Sequence, residues 1–246
     1  LALKDATQAG MFGRFLEISL ATRAIAASAA FYQRLGFLDL ATGDVLTHRY
    51  GVYGDGRVHL GLHEGAGGVV ALAFVLPQLA VALPRLRAAG FQPAREQLGC
   101  EDFHAVELTD PAGTCVRLLE ARTYSPGPEV RESRLGRFAH WSLPVRDRSA
   151  AAAWWERAGF VALSEVTEPY AHVPLTSDQL DLAFHSPRLL DAPCLVFTAL
   201  DMVARIAALR AEGAALEDAP RGLDRERNAL LVAPEGTLLL LLTSED

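Results

Sequence analysis

The sequence predicts an α+β protein built from four βαβββ units arranged as two tandem domains, and three observations carry that prediction. The stretch Gly13 to Phe37 returns as Gly136 to Phe160, with 12 of 25 positions identical at a constant offset of 123 residues. So many identities in an ungapped window mark a tandem duplication. Glycines placed to end helices recur within each half at a spacing of 54, Gly36 with Gly90 and Gly159 with Gly213, so each half holds two units. After each predicted helix come short runs of strand character separated by Gly and Asp turn signals.

The elements follow in order. Phe15 to Ala21 alternates, with Leu16, Ile18 and Leu20 on one side and Glu17 and Ser19 on the other, as a half-buried strand does. An Ala-rich helix from about Arg23 to Leu35 leads to strands at 37–41, 47–53 and 57–63. The second unit has a strand at 70–75, a helix at 78–89 that Pro84 should kink, and strands at 91–95, 103–108 and 114–120. Prolines, glycine and mixed charge without a period place a linker at 122–135, between domains at 13–121 and 136–246, with a leader at 1–12. The second half repeats the plan, opening on a strand at 136–143. Its fourth unit begins at Cys194 and ends on the strand 237–242.

Composition narrows the partners. A net charge of −7 argues against a phosphate-binding surface, so no nucleic-acid partner is expected. The longest apolar runs fall short of the roughly 18 residues of a membrane span, and no membrane partner is expected either. Cys100, Cys115 and Cys194 are odd in number and without CxxC spacing, which suits a reducing compartment and a cytoplasmic protein. The first residues lack the basic start and apolar stretch of a secretory signal. Association into a homodimer stays open.

Four βαβββ units in two halves, with FYQRLGF closing the first helix and the turns DPAGT at 110–114 and APEGT at 233–237, resemble the vicinal oxygen chelate superfamily. That family includes glyoxalase I, extradiol ring-cleaving dioxygenases and the bleomycin resistance proteins. The resemblance implies tandem glyoxalase-like domains whose mixed sheets curve into cups, with a divalent metal on the cup floor. The ligand positions it implies fall on Glu17, Gly61, Val70 and Arg117 in the first half, and on His140, Ala183, Pro193 and Leu240 in the second. Of these only Glu17 and His140 can donate to a metal, one in each half, and a single His or Glu cannot supply the three or four donors of a family metal site. The expectation is therefore no metal and no cofactor.

Strand alternation supplies what the cups hold instead. Val58, Leu60 and Leu62 should face the helices, which leaves His59, Gly61 and His63 toward the first cup. Glu17, Ser19, Cys115 and Arg117 join them, and Val70, Leu72 and Phe74 are read as the apolar wall. Glu17 and Arg117 are expected to form an ion pair where a metal would sit, either bracing the sheet floor or orienting a ligand. Burial of Cys115 as an inert thiol is expected, and the face of His104 is left open. The second cup offers His140, Ser142, Asp181 and His185 against a greasier wall of Leu238, Leu240 and Leu242, while Trp154 and Trp155 read as core.

The leading expectation is a metal-independent small-molecule binding protein of the bleomycin-resistance type with its ligand in the first cup. The ligand-binding set is Glu17, Ser19, His59, His63, Phe74, Cys115 and Arg117. The alternatives are a lyase, isomerase or hydrolase using Glu17 or His59 as base, an enzyme with a non-standard metal site such as His59 with His63, and an interaction protein whose cups have lost their ligands.

Overall fold

The structure is a computed structural model that describes residues 10–43, 46, 48–66, 70–100, 103–125 and 131–244. The first unit is β1 (Arg14–Thr22), α1 (Ile25–Arg34), β2 (Leu38–Leu40), β3 (Tyr50–Gly54) and β4 (His59–Glu64). The second is β5 (Val70–Val75), α2 (Leu79–Ala88), β6 (Arg95–Gln97), β7 (Ala105–Thr109) and β8 (Cys115–Leu119). The third is β9 (Arg137–Pro144), α3 (Arg148–Ala158), β10 (Val161–Ala162), β11 (His172–Thr176) and β12 (Leu182–His185). The fourth is β13 (Cys194–Ala199), α4 (Met202–Ala211), β14 (Leu216–Asp218), β15 (Ala229–Val232) and β16 (Leu238–Thr243). Each is the βαβββ unit read from sequence. Glycines 36, 90, 159 and 213 follow the helices with positive φ, and α2 runs through Pro84.

Units one and two share one eight-stranded mixed sheet, in the order β2-β3-β4-β1-β5-β8-β7-β6. Units three and four repeat that order as β10-β11-β12-β9-β13-β16-β15-β14. In each half the opening strands of the two units pair antiparallel at the sheet centre, so cups form within halves and units are not traded between them.

That pairing decides which residues face the cup. Directly opposed residues share a face, and Glu17 lies opposite Ala73 while Ser19 lies opposite Ala71. The small residues of β5 therefore point into the first cup, and Leu72 and Phe74 point into the core with the helices. The expected wall of Leu72 and Phe74 is corrected accordingly; Phe74 packs edge-on against Phe12 and Phe15, and the side chain of Val70 lies outside the described residues. Leu16 also changes sides. A bulge between Phe15 and Glu17 turns it toward the cup, and the repeat carries the same irregularity at Ala139, which packs on the cup side of the second half.

The helix-facing sides of both sheets bury one continuous apolar cluster. Phe12 touches Phe91 in its own half and Trp154 and Trp155 in the other, and Phe37 meets Phe197 across the halves. Residues 10–12, expected as leader, are thus part of the fold, with Phe12 fully buried and the Met11 amide donating to the Ala158 carbonyl. Residues 1–9 of that leader and 126–130 of the expected linker lie outside the described residues. The linker's Tyr124 and Leu135 are buried too.

A reciprocal clasp joins the halves. Tyr32 on α1 donates its hydroxyl to Glu235 in the APEGT turn at 2.6 Å, and Trp155, one repeat later on α3, donates its ring N–H to Asp110 in the DPAGT turn at 2.9 Å. Each leaves a carboxylate oxygen without its donor if removed, that of Asp110 in a buried position. Tyr32→Phe and Trp155→Phe are each expected to lower stability by about 1–3 kcal/mol in urea unfolding, and unchanged midpoints would show that the clasp is idle.

Candidate functional site

The first cup is built around Glu17. Its carboxylate is buried and lies over Gly61, where a Cβ would overlap it. Ser19 donates to Glu17 Oε1 at 2.8 Å, and so does His63 Nε2, also at 2.8 Å. Glu17 Oε2 is buried without a hydrogen-bond partner. The second ring nitrogen of His63, Nδ1, sits 3.0 Å from Nε2 of His48, and Tyr50 stacks on the His63 ring.

Tyr124 closes this cup. Its hydroxyl donates to the Leu16 carbonyl at 2.6 Å, its ring meets the edge of His59, and it packs with Leu16, Val52, Ala73, Val75 and Leu119. Burial pushes the Tyr124 hydroxyl well above its ordinary pKa and the His59 imidazole below its own. The structure thus brings Glu17, Ser19, His59 and His63 to one face, as alternation predicts, but under a linker residue that sequence reasoning passed over.

The expected Glu17–Arg117 pair does not form. The order β1-β5-β8 puts a strand between them, which is two strand spacings or about 9.5 Å. Arg117 instead holds Glu107, its direct partner across β7 and β8, at 2.9 Å. Cys115 is half-buried with its thiol pushed up by burial, as an inert thiol is. His104 pairs with Glu120.

The second cup has the open cavity. A space of about 540 Å³ is lined by His140, Tyr170, His172, Val196, Thr198 and Leu242, together with Leu223, Arg227 and Asn228. Beneath it runs a chain of hydrogen bonds whose directions the backbone sets. His185 Nε2 bonds the Leu190 carbonyl and must carry the proton, so Nδ1 accepts from the Ser142 hydroxyl at 2.7 Å. Ser142 in turn lies 3.3 Å from the Tyr170 hydroxyl, which lies 2.8 Å from His140 Nε2. His172 donates Nδ1–H to the Tyr170 carbonyl at 2.9 Å, leaving Nε2 as an acceptor.

Burial, with the neighbouring rings of His172 and His185 adding to it, pushes His140 down to about 3. Burial likewise pushes His185 down to about 4, and lowers His172. The floor is a set of neutral imidazoles at neutral pH. His140, Ser142 and His185 stand together as expected. Asp181 does not join them: it is exposed at the start of β12 and accepts from Thr176. Tyr170 and His172 were missed: Tyr170 lies in the bend before β11 and His172 opens that strand, so alternation along one strand does not place the pair.

No protein-family profile matches the chain, and no curated protein matches it. Solved structures do. Homoprotocatechuate 2,3-dioxygenase from Brevibacterium fuscum, a variant in complex with HPCA, superposes with a TM-score of 0.63 at 18% identity over 95% of this chain and 71% of its own. A 2,2',3-trihydroxybiphenyl 1,2-dioxygenase from Sphingomonas wittichii gives 0.62 at 15% identity, over 94% and 90%. The chain shares the fold of these dioxygenases. Homoprotocatechuate 2,3-dioxygenase from Arthrobacter globiformis agrees, at 0.60 and 16% identity over 94% and 79%.

This likeness overturns the expectation of no cofactor, because vicinal oxygen chelate proteins of the ring-cleaving kind are those for which the resemblance implies a divalent metal. The implied positions in this chain are a separate matter, and the donor set there does not fit one. In the second cup His140 lies opposite Val196, and Val196 lies beside Leu240, so these neighbouring sheet positions offer a metal no donor. Pro193, the position read from sequence, precedes β13 and stands outside that ring. In the first cup Glu17 is flanked by Gly61, Ala73 and an Arg117 committed to Glu107. Among the described residues no group of three His, Cys, Asp or Glu converges on a metal position.

Proposed function

We propose that the protein binds a compact aromatic ligand bearing hydroxyl groups in the cup of its second half. The observation that carries this reading is the cavity of about 540 Å³ over the His140–Tyr170–His172 floor, a size suited to small ligands. Val196, Leu223 and Leu242 offer an apolar wall to a ring, and the neutral His172 Nε2 offers an acceptor to a phenolic hydroxyl. Support for the ligand class comes also from the fold, whose solved members include dioxygenases named for homoprotocatechuate and trihydroxybiphenyl. The site moves from the first cup, the sequence's choice, to the second because Tyr124 covers Glu17 and His59 in the first. We place this activity in the cytoplasm on cysteine usage; among the described residues no helix is long and apolar enough to cross a membrane.

A thermal-shift screen of catechols and hydroxybiphenyls, run anaerobically with and without ferrous iron, tests the reading. Wild type is expected to gain several degrees with its ligand. Thr198→Trp, which fills the cavity, should abolish the shift, and His59→Ala in the first cup should keep it. A shift lost in His59→Ala and kept in Thr198→Trp would return the ligand to the first cup. Consumption of the ligand that stops in His172→Ala would turn the reading toward an enzyme with that imidazole as base.

A further inference from the structure

His48 and His63 bring two imidazole nitrogens together at the mouth of the first cup. His63 Nδ1 and His48 Nε2 face each other at 3.0 Å. Two imidazole nitrogens on one metal at about 2.0–2.1 Å stand roughly 2.9 Å apart at a right angle and about 3.3 Å apart at a tetrahedral one, so the observed separation suits a shared ion once the exposed His48 ring tilts out of the hydrogen-bond line. The His63 ring is already fixed: the buried Glu17 carboxylate accepts from Nε2, and Tyr50 stacks on its face with ring centroids 5.3 Å apart. A carboxylate on the far nitrogen of a ligating histidine sets its tautomer and raises its basicity. His48 is exposed, so an ion reaches the pair from solvent without moving Tyr124.

We propose that His48 and His63 form a site for a borderline divalent transition metal, copper(II) ahead of nickel(II) and zinc(II), outside the positions the fold family uses. Imidazole pairs suit these ions, and affinity follows the order of the series. Water completes the coordination. With His63 Nε2–H given to Glu17, the present contact is a bond from His48 Nε2–H to His63 Nδ1; on binding, the His48 ring proton leaves Nε2 and one returns to Nδ1 through solvent, so no net proton is released. The charges near His48 are Glu64, which favours a cation, and Arg117, whose charge is held by Glu107.

Copper(II) titrated into chelator-stripped protein, followed by calorimetry and electron paramagnetic resonance, tests the site. His48→Ala is expected to remove one equivalent of bound copper together with a signal split by two nitrogens. Glu17→Gln keeps both ring nitrogens and loses the buried charge; it should weaken that equivalent about tenfold. His104→Ala should change nothing, and zinc should bind the same equivalent more weakly. Full copper occupancy in His48→Ala, or loss of the two-nitrogen signal in His140→Ala instead, would overturn the proposal. Neither outcome bears on the aromatic ligand, whose cavity is in the other half.

Discussion

Urea is expected to unfold this protein far more easily at pH 5 than at pH 7, with His140 and His185 of the second cup responsible for most of the difference. Burial holds these imidazoles at about 3 and about 4 in the folded state, while the unfolded chain takes up the same protons near the ordinary value of about 6.5. Between those limits the unfolded state binds more protons, so stability is lost as pH falls through 6.5 toward the folded values. At pH 5 the loss is roughly 2 kcal/mol for each histidine and about 4 kcal/mol for the pair. His140→Gln combined with His185→Gln should flatten the dependence, whatever it does to stability at pH 7. The measurement is the unfolding free energy of both proteins at pH 7, 6 and 5. Parallel curves would mean that the folded floor accepts protons readily, and the neutral character of the proposed ligand site would fall with it.

Gly61→Ala is expected to cost about 3 kcal/mol or more, although it adds a single methyl group to a strand. The added carbon would occupy the space of the Glu17 carboxylate. Glu17 would have to withdraw from Ser19 and His63, leaving a buried charge without its two donors. The effect should depend on Glu17: in a double-mutant cycle with Glu17→Ala, the two costs should fall short of additivity by at least about 1 kcal/mol. Additive costs would place the strain in the β4 backbone and remove Glu17 from the explanation. Gly61 occupies one of the positions at which the resemblance implies a metal ligand, so its lack of a side chain is what gives the first cup a buried carboxylate instead.

The fold was legible because duplication leaves evidence that needs no structure. The offset of 123 residues, the glycines at a spacing of 54 and the alternation of β4 each depend on local chemistry alone, and each matches the units and sheet order observed. Faces were legible where one side of a strand is apolar and the other is not, as in His59, Gly61 and His63. On β5 the sequence VALAFV is apolar at both parities, and its register with β1 gave the cup the alanines and the core the larger side chains. The faces of His59 and His63 were therefore read correctly, whereas that of Phe74 was not.

What the sequence by itself determined is the four-unit plan, the cup side of most polar residues and the near absence of metal donors at the implied positions. The choice between cups was left to the tertiary structure. Strand order separated Glu17 from Arg117, because which strands lie between two residues is a property of the whole sheet. Tyr124, from a stretch that reads as linker, closed the first cup over Glu17, while Tyr170 and His172 opened onto a cavity in the second. Contacts of that kind join residues far apart in the chain, and local pattern carries no record of them.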